Sequence, residues 1–332
     1  MIRSVIAGLG AISQTHIQAI ASCKNASLVG VCDILPEKSQ AVPDVPFYED
    51  VERMLDELRP DCLHICLPHH LHIPMAHLAA RKHVNVFLEK PPALSAAELR
   101  AALDLEERYQ VKIGVCLQNR YNASTQSALE IIRGGTLGAV VGCKAVVTWN
   151  RPLSYYHSSP WRGRLTEAGS GVMLNQAIHT MDLMTLFCGN ARAINGRIMN
   201  LKHPGIEVED TTVAQIWFES GAEGVFYGTV NHSCDSSLEL ELVFEHGLLR
   251  IKDECLWAGD EHTWKLIAED DKPTSGKSYY GAGHPEAIAR FYDVLKGNSA
   301  DYISLSDALP VMSMVEGIIT SSSAGGTVEL KN

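Results

Sequence analysis

The stretch Ser4-Val5-Ile6-Ala7-Gly8-Leu9-Gly10-Ala11-Ile12-Ser13, followed by an acid, Asp33, at the end of the next apolar run, decides the fold of this chain. Residues 4–9 form a short continuous apolar run, the pattern of a strand buried on both faces. Residues 12–22 put Ile12, His16, Ile17 and Ile20 on one face of a helix. Between the two, Gly8 permits a tight turn and Gly10 lets the backbone approach a pyrophosphate held at the helix N-terminus. Ala11 and Ile12 carry that loop into the helix, and Ser13 fills the third glycine position, where a small residue is enough for helix–strand packing. Asp33 follows the second strand, 28–32, about 20 residues on, where a carboxylate accepts hydrogen bonds from an adenosine ribose and repels a 2′-phosphate. A tight turn with a capping acid is the bland alternative, but the order strand, loop, helix, strand, acid favours a dinucleotide site.

Outward from this unit the alternation continues. Helices are predicted at 51–58, 73–81 and 96–108, and strands at 62–67, 84–88 and 112–116. Continuous apolar strands separated by helices imply a doubly wound parallel sheet, an α/β dinucleotide-binding domain over 1–118. The rhythm then changes. A helix at 125–133, a long run at 140–149 and a helix at 173–187 precede strands at 193–199, 212–218, 224–230, 238–244 and 248–252. Gly221, Gly247 and Gly259 mark turns, and helices at 285–295 and 305–323 close the chain. Successive strands without intervening helices imply an α+β domain over 119–332 with a large, mainly antiparallel sheet.

Charge and composition narrow the function. The net charge of −11 and the lack of any basic run argue against nucleic-acid or anionic-membrane partners. No window approaches a membrane span, and residues 1–7 lack a signal-peptide pattern. The 9 cysteines have no framework spacing, which points to reduced thiols and a cytoplasmic setting. His64, His69, His70, His72 and His77 straddle strand, loop and helix without supporting cysteines or carboxylates, so no metal site is expected from them.

Further motifs arrive in a fixed order. Leu67-Pro68-His69-His70-Leu71-His72 follows the third strand, Glu89-Lys90-Pro91 the fourth and Gln118-Asn119-Arg120-Tyr121-Asn122 the fifth. Gly169-Ser170-Gly171 through Asn175-Gln176-Ala177-Ile178-His179-Thr180-Met181-Asp182 opens the long helix of the second domain, and Tyr280-Gly281-Ala282-Gly283-His284 comes before the end. This series resembles the glucose–fructose oxidoreductase / inositol dehydrogenase / rhizopine-catabolism (Gfo/Idh/MocA) family over essentially the whole chain.

The resemblance implies an NAD(P)-dependent oxidoreductase moving hydride at a secondary alcohol of a sugar, sugar derivative or inositol. It implies that Lys90 is the lysine beside the nicotinamide and His179 the acid/base histidine. Asn175, one turn earlier, stands where many relatives carry Asp; it orients a hydroxyl but cannot take its proton. Pro68, His72, Glu89, Pro91, Gln118, Trp161 and Arg162 are expected at the cofactor, and Pro91 through a cis peptide bond. Arg120, Tyr121, Tyr156, Asn175, His179 and His284 are expected at the substrate. The chemistry suits these residue types without the family: hydride leaves carbon only as the hydroxyl proton departs, histidine titrates near neutrality, and a lysine can donate to the developing alkoxide. Asp33 favours NAD; Lys38 nearby softens that preference, leaving NADP as the alternative cofactor. A homodimer or homotetramer is expected. The alternatives are glycoside cleavage on the same scaffold with retained NAD, and a non-catalytic NAD(P)-binding regulator, against which the presence of both Lys90 and His179 argues.

Overall fold

The computed structural model describes residues 1–260, 262–272 and 282–330. The chain divides into two compact units, Met1–Gln118 with His284–Ala308, and Asn119–Gly283 with Leu309–Asn332.

The first unit is built on a six-stranded sheet: β1 (Ile2–Ala7), β2 (Ala26–Cys32), β3 (Phe47–Tyr48), β4 (Cys62–Ile65), β5 (Asn85–Leu88) and β6 (Ile113–Val115). Its order is β3-β2-β1-β4-β5-β6, and every pair is parallel. The apolar runs are continuous because helices cover both faces of such a sheet: β4 is buried at every position and β1 at all but Arg3. The helices are α1 (Ser13–Ser22), α2 (Val51–Leu58), α3 (His72–Arg81), α4 (Ala96–Ala102) and α5 (Leu105–Tyr109). The single helix expected over 96–108 is thus two. Leu99, Ala102 and Leu105 are all buried, so the helical spacing runs unbroken across the interruption at Leu103-Asp104 and hides it.

The second unit holds α6 (Ala123–Gly134), β7 (Val140–Thr148), α7 (Leu153–His157), α8 (Leu165–Ala168), α9 (Ile178–Cys188), β8 (Ala191–Met199), β9 (Thr211–Phe218), β10 (Glu223–Thr229), β11 (Glu239–Phe244), β12 (Gly247–Lys252), β13 (Cys255–Gly259) and β14 (Trp264–Glu269). After α10 (Gly283–Leu295), which belongs to the first unit, α11 (Leu309–Ala324) and β15 (Val328–Glu329) complete it. Its nine strands run β14-β13-β12-β11-β7-β10-β9-β8-β15, antiparallel except for the parallel β7–β10 pair. α9 and α11 pack on this sheet. The strands β13, β14 and β15 have no counterpart in the expected strands: β14 is largely exposed and lacks alternation, β15 is two residues long, and Gly259, read as a turn, ends β13.

Two expectations are corrected. The helix expected over 173–187 begins as a π-helical turn, Met173–Ala177, before α9. The domain expected over 119–332 is not continuous, since 284–308 returns to the first unit. Phe291 packs there against Phe87 with ring centroids 5.4 Å apart, and Tyr292 shares a 2.6 Å hydrogen bond with Ser4 on β1. The N–H of Val115 donates to the carbonyl of Ile303 at 2.7 Å, adding that segment to the edge of the parallel sheet. Helices with polar intervals at a chain end give no sign of which unit they will join. Tyr280 and Gly281 lie outside the described residues. Among the described residues no helix is long and apolar enough to cross a membrane.

Phe291 is fully buried. Phe291→Ala is expected to destabilise the protein by about 3–5 kcal/mol, read from denaturant unfolding. A cost below about 1 kcal/mol, the range of surface substitutions, would show that this helix does not belong to the core of the first unit.

Candidate active site

The glycine loop leaves β1 at the carboxyl edge of the sheet, between β2 and β4, where the strand order reverses. Gly8 has φ +91°, and a Cβ there would lie 2.4 Å from the Cys66 carbonyl oxygen, so only glycine fits. Its N–H donates to the Cys32 carbonyl at 2.8 Å. A Cβ on Gly10 would meet nothing within 4 Å, the open side that backbone approach to a phosphate requires. The Ser13 hydroxyl donates to the Gly10 carbonyl at 2.7 Å and ties the loop to α1, with Ala11 and Ile12 between them. The Asp33 carboxylate accepts from the N–H of Leu9 at 2.7 Å and of Leu35 at 3.1 Å, while Lys38 Nζ donates to the Leu9 carbonyl at 3.0 Å. The loop therefore fits a dinucleotide, with the ribose-reading acid beside it and a cation within reach of the same residue.

Glu89-Lys90-Pro91 leaves β5 at the same sheet edge. The Lys90–Pro91 peptide is cis, as the resemblance implied, and Lys90 is half-buried. Three residues expected at cofactor or substrate have internal partners in the structure. His72 is fully buried, and its ring nitrogens lie 2.7 Å from the Pro91 carbonyl and 2.8 Å from the Leu67 carbonyl. Burial favours its neutral form. It braces the loop after β4, where Pro68 precedes a 3-10 turn, against the lysine turn. Glu89 is buried, 2.9 Å from His16 Nε2 and 3.7 Å from His284 Nε2. Burial opposes its charge, but these two histidines hold its carboxyl well below the usual carboxylate range. His284 is accordingly a partner of Glu89 within the first unit. Gln118 is buried too, its side-chain oxygen accepting from the Cys116 thiol at 3.6 Å.

In the second unit Ser170, Gly171 and Met173 are gripped by one carboxylate, Glu209: the Ser170 hydroxyl donates at 2.6 Å and the backbone N–H groups of Gly171 and Met173 at 2.8 and 3.1 Å. A Cβ on Gly171 would lie 1.9 Å from the Glu209 carbonyl oxygen, so the chain can come this close only as glycine. Burial raises the Glu209 pKa, against the opposing pull of these donors. The grip launches the π-helical turn that carries Asn175, and π turns recur at functional sites. Asn175 is half-buried within an otherwise buried run, 171–180, and His179 lies buried on the first turn of α9.

The aromatic loop differs from expectation in one residue. Tyr156 is turned into the interior with Ala168 and Val208, and burial pushes its hydroxyl pKa up. Its half-buried neighbour Tyr155 accepts from Gln176 at 3.1 Å and donates to Asn175 Oδ1 at 3.3 Å. Arg162 stacks on Tyr155, 4.3 Å from the ring centroid, and 5.6 Å from Trp161. Arg120 makes a two-pronged pair with buried Asp182 at 2.6 and 2.8 Å, so its charge is already matched; Tyr121 is half-buried beside it in sequence. Glu209 and His16 were not among the expected site residues. Two adjacent tyrosines on a five-residue helix give no periodicity to say which faces out, Glu209 sits far along the chain from the turn it holds, and His16 reads as one more residue on the buried face of α1. Among the described residues one trio brings metal-ligating atoms together, His16, Glu89 and Cys116, within 4.8 Å.

Residues 2–117 match an oxidoreductase family with an NAD-binding Rossmann fold (GFO_IDH_MocA), and 125–250 match that family's C-terminal domain. The chain is 28% identical over 277 residues to glucose-6-phosphate 3-dehydrogenase of Bacillus subtilis, covering 79% of this chain and 76% of that protein. It is 26% identical to inositol 2-dehydrogenase of Rhizobium meliloti over 57% of this chain and 55% of the relative. The WlbA dehydrogenase of Bordetella pertussis, solved with NADH and UDP-GlcNAcA, superposes with a TM-score of 0.89 at 27% identity, over 100% of this chain and 98% of that one. With both domain signatures present in order, this protein belongs to the Gfo/Idh/MocA oxidoreductase family.

Proposed function

We propose that the protein is an NAD-dependent dehydrogenase acting on a secondary alcohol, or the matching ketone, of a sugar, sugar derivative or cyclitol, with Lys90 and His179 handling the proton. The observation that carries this reading is that the glycine-only loop after β1 and the Lys90 turn after β5 leave the same edge of one parallel sheet. When bound, NAD accepts or returns the hydride; the chain's own groups manage the hydroxyl proton. The Lys90 ammonium donates to the alkoxide as charge develops, and the His179 imidazole takes the proton. The Asn175 amide, tethered by the Tyr155 hydroxyl, orients the reacting hydroxyl.

Substrate class follows from the same loop and from relatives. Tyr155 and Trp161 offer aromatic area suited to the apolar face of a ring, and the Arg162 guanidinium stacked on Tyr155 suits an anionic substituent. Glucose 6-phosphate and UDP-GlcNAcA, named for two relatives, are both anionic ring sugars. A cytoplasmic setting accords with the free state of all nine cysteines. The open face of the second sheet exposes Val213, Val225, Tyr227 and Val243, apolar side chains that self-association would cover.

Lys90→Met and His179→Ala are each expected to lower kcat by a factor on the order of 10²–10⁴ with NAD affinity kept, in an NADH-absorbance assay over a panel of sugars, inositols and nucleotide sugars. Near-normal turnover in either variant rejects that residue's role, and saturating activity on a short-chain alcohol with none on any ring polyol rejects the substrate class. Asp33→Ala is expected to weaken NAD binding and narrow its advantage over NADP. A wild type that binds NADP tenfold better, about 1.4 kcal/mol, would reverse the cofactor assignment. Val225→Lys should shift the mass seen by light scattering toward the monomer; a wild type already monomeric at assay concentration contradicts self-association.

A further inference from the structure

Four side chains of the kinds that hold zinc meet in the interior of the first unit, each from a different part of the chain. They are His16 on α1, Glu89 after β5, Cys116 after β6 and His284 on α10. One ligating atom from each of His16, Glu89 and Cys116 lies within 4.8 Å of the other two. Glu89 Oε1 is 2.9 Å from His16 Nε2 and 3.7 Å from His284 Nε2. His16 and Cys116 are fully buried, and Glu89 and His284 nearly so.

We propose that this cluster is a closed structural site for one zinc ion, held by His16 Nε2, a Glu89 carboxylate oxygen, Cys116 Sγ and His284 Nε2.

Donor type, spacing and charge agree on this occupant. Imidazole, thiolate and carboxylate are the zinc ligands of proteins, whereas calcium and magnesium take oxygen donors. Zinc bonds of about 2.0–2.3 Å put tetrahedral neighbours about 3.3–3.8 Å apart. The 2.9 and 3.7 Å separations around Glu89 Oε1 lie close to that edge length. One carboxylate and one thiolate cancel the charge of the ion, and both imidazoles stay neutral. No buried charge is then left uncompensated. Binding releases one proton, from the Cys116 thiol to solvent.

The surroundings support such a centre. With Nε2 on the metal, His16 carries its proton on Nδ1, 3.0 Å from His64 Nδ1, which accepts it. His64 Nε2 then donates to the Tyr292 hydroxyl at 2.8 Å, and that hydroxyl to Ser4 at 2.6 Å. Ligating histidines are commonly oriented in this way, through the ring nitrogen turned away from the metal. Four protein donors leave no open position for water or substrate, the arrangement of a structural zinc. The ion joins α1, α10 and the ends of β5 and β6 at one point. It also fixes Glu89, whose carboxylate accepts from the backbone N–H of Lys90 at 3.3 Å. Cys66 acts on both His16 and Cys116, which makes its sulfur the competing fourth donor. The site is separate from the dehydrogenase reading, and its tests read metal and stability instead of turnover.

Protein purified from cells grown with added zinc and then dialysed is expected to hold about one zinc per chain, measured by plasma mass spectrometry. Cys116→Ser and His16→Gln should each lose most of it, while Cys66→Ser should keep it. Because every donor is buried, the metal should leave only on unfolding. Refolding the wild type with a chelator should give zinc-free protein that melts several degrees lower, and refolding it with zinc should restore the midpoint. Refolding the wild type with cobalt(II) should give the visible absorption of a tetrahedral cobalt–thiolate centre; these wild-type measurements stand even where a variant fails to fold. Dialysed wild-type protein without zinc, whose melting temperature added zinc leaves unchanged, would overturn the site. So would full retention of zinc by Cys116→Ser, which would place the ion elsewhere. Zinc lost from Cys66→Ser but kept by His284→Gln would overturn His284 as the fourth ligand.

Discussion

The carbonyl oxygen of Cys66 leaves no room for a side chain on Gly8, and much of the first unit follows from that contact. It arises where β1 and β4 lie side by side as parallel neighbours with their carboxyl ends level. The turn after β1 must therefore bend with positive φ, away from the neighbouring strand and into the first turn of α1. Asp33 and Lys38 then secure Leu9 from the side of β2. The same edge receives the Lys90 turn after β5. A parallel sheet aligns the ends of all its strands, so residues 8, 33, 68 and 90 share one rim without any long loop to bring them there.

The second unit meets a different constraint with a different device. Its Gly-rich segment has to present Asn175 while burying nearly all its neighbours, and the backbone donors at the start of a helix have no partners within it. Glu209 supplies the acceptors for Gly171 and Met173 and passes its own carbonyl close over Gly171. The Arg120–Asp182 pair fixes the motif after β6 in the same way, by closing a charge that sequence alone offered to a ligand. In the first unit, groups that look chemically active from their motif also hold a neighbour: His72 the lysine turn and His284 Glu89.

This is also the pattern of what the amino-acid order disclosed. Strand, loop and helix in the first 33 residues were legible because periodicity, glycine and the trailing acid all express local rules. The position of Lys90 at the rim was legible because strand ends are. The switch from alternating to consecutive strands announced the second sheet. Which of Tyr155 and Tyr156 turns outward was not legible, since packing against Ala168 and Val208 decides it. Nor was the pairing of His16 with Glu89, because their separation of 73 residues carries no local signal and a buried histidine on an apolar helix face looks like any other core position.

The return of residues 284–308 to the first unit has a consequence for how the protein came to be and how it can be cut. The polypeptide passes between the two units three times, after Gln118, Gly283 and Ala308. Neither unit is a simple prefix or suffix of the gene. A fragment ending at Gln118 would carry the whole parallel sheet yet lack Phe291 and Tyr292, leaving Ser4 and His64 facing water in what had been a sealed interior. Recombination that exchanges substrate units between relatives at the obvious junction would cut such chains in the wrong place. A viable exchange must take the segment from 119 to 283 as an insert, together with the tail after 308, and leave the recipient's α10 behind.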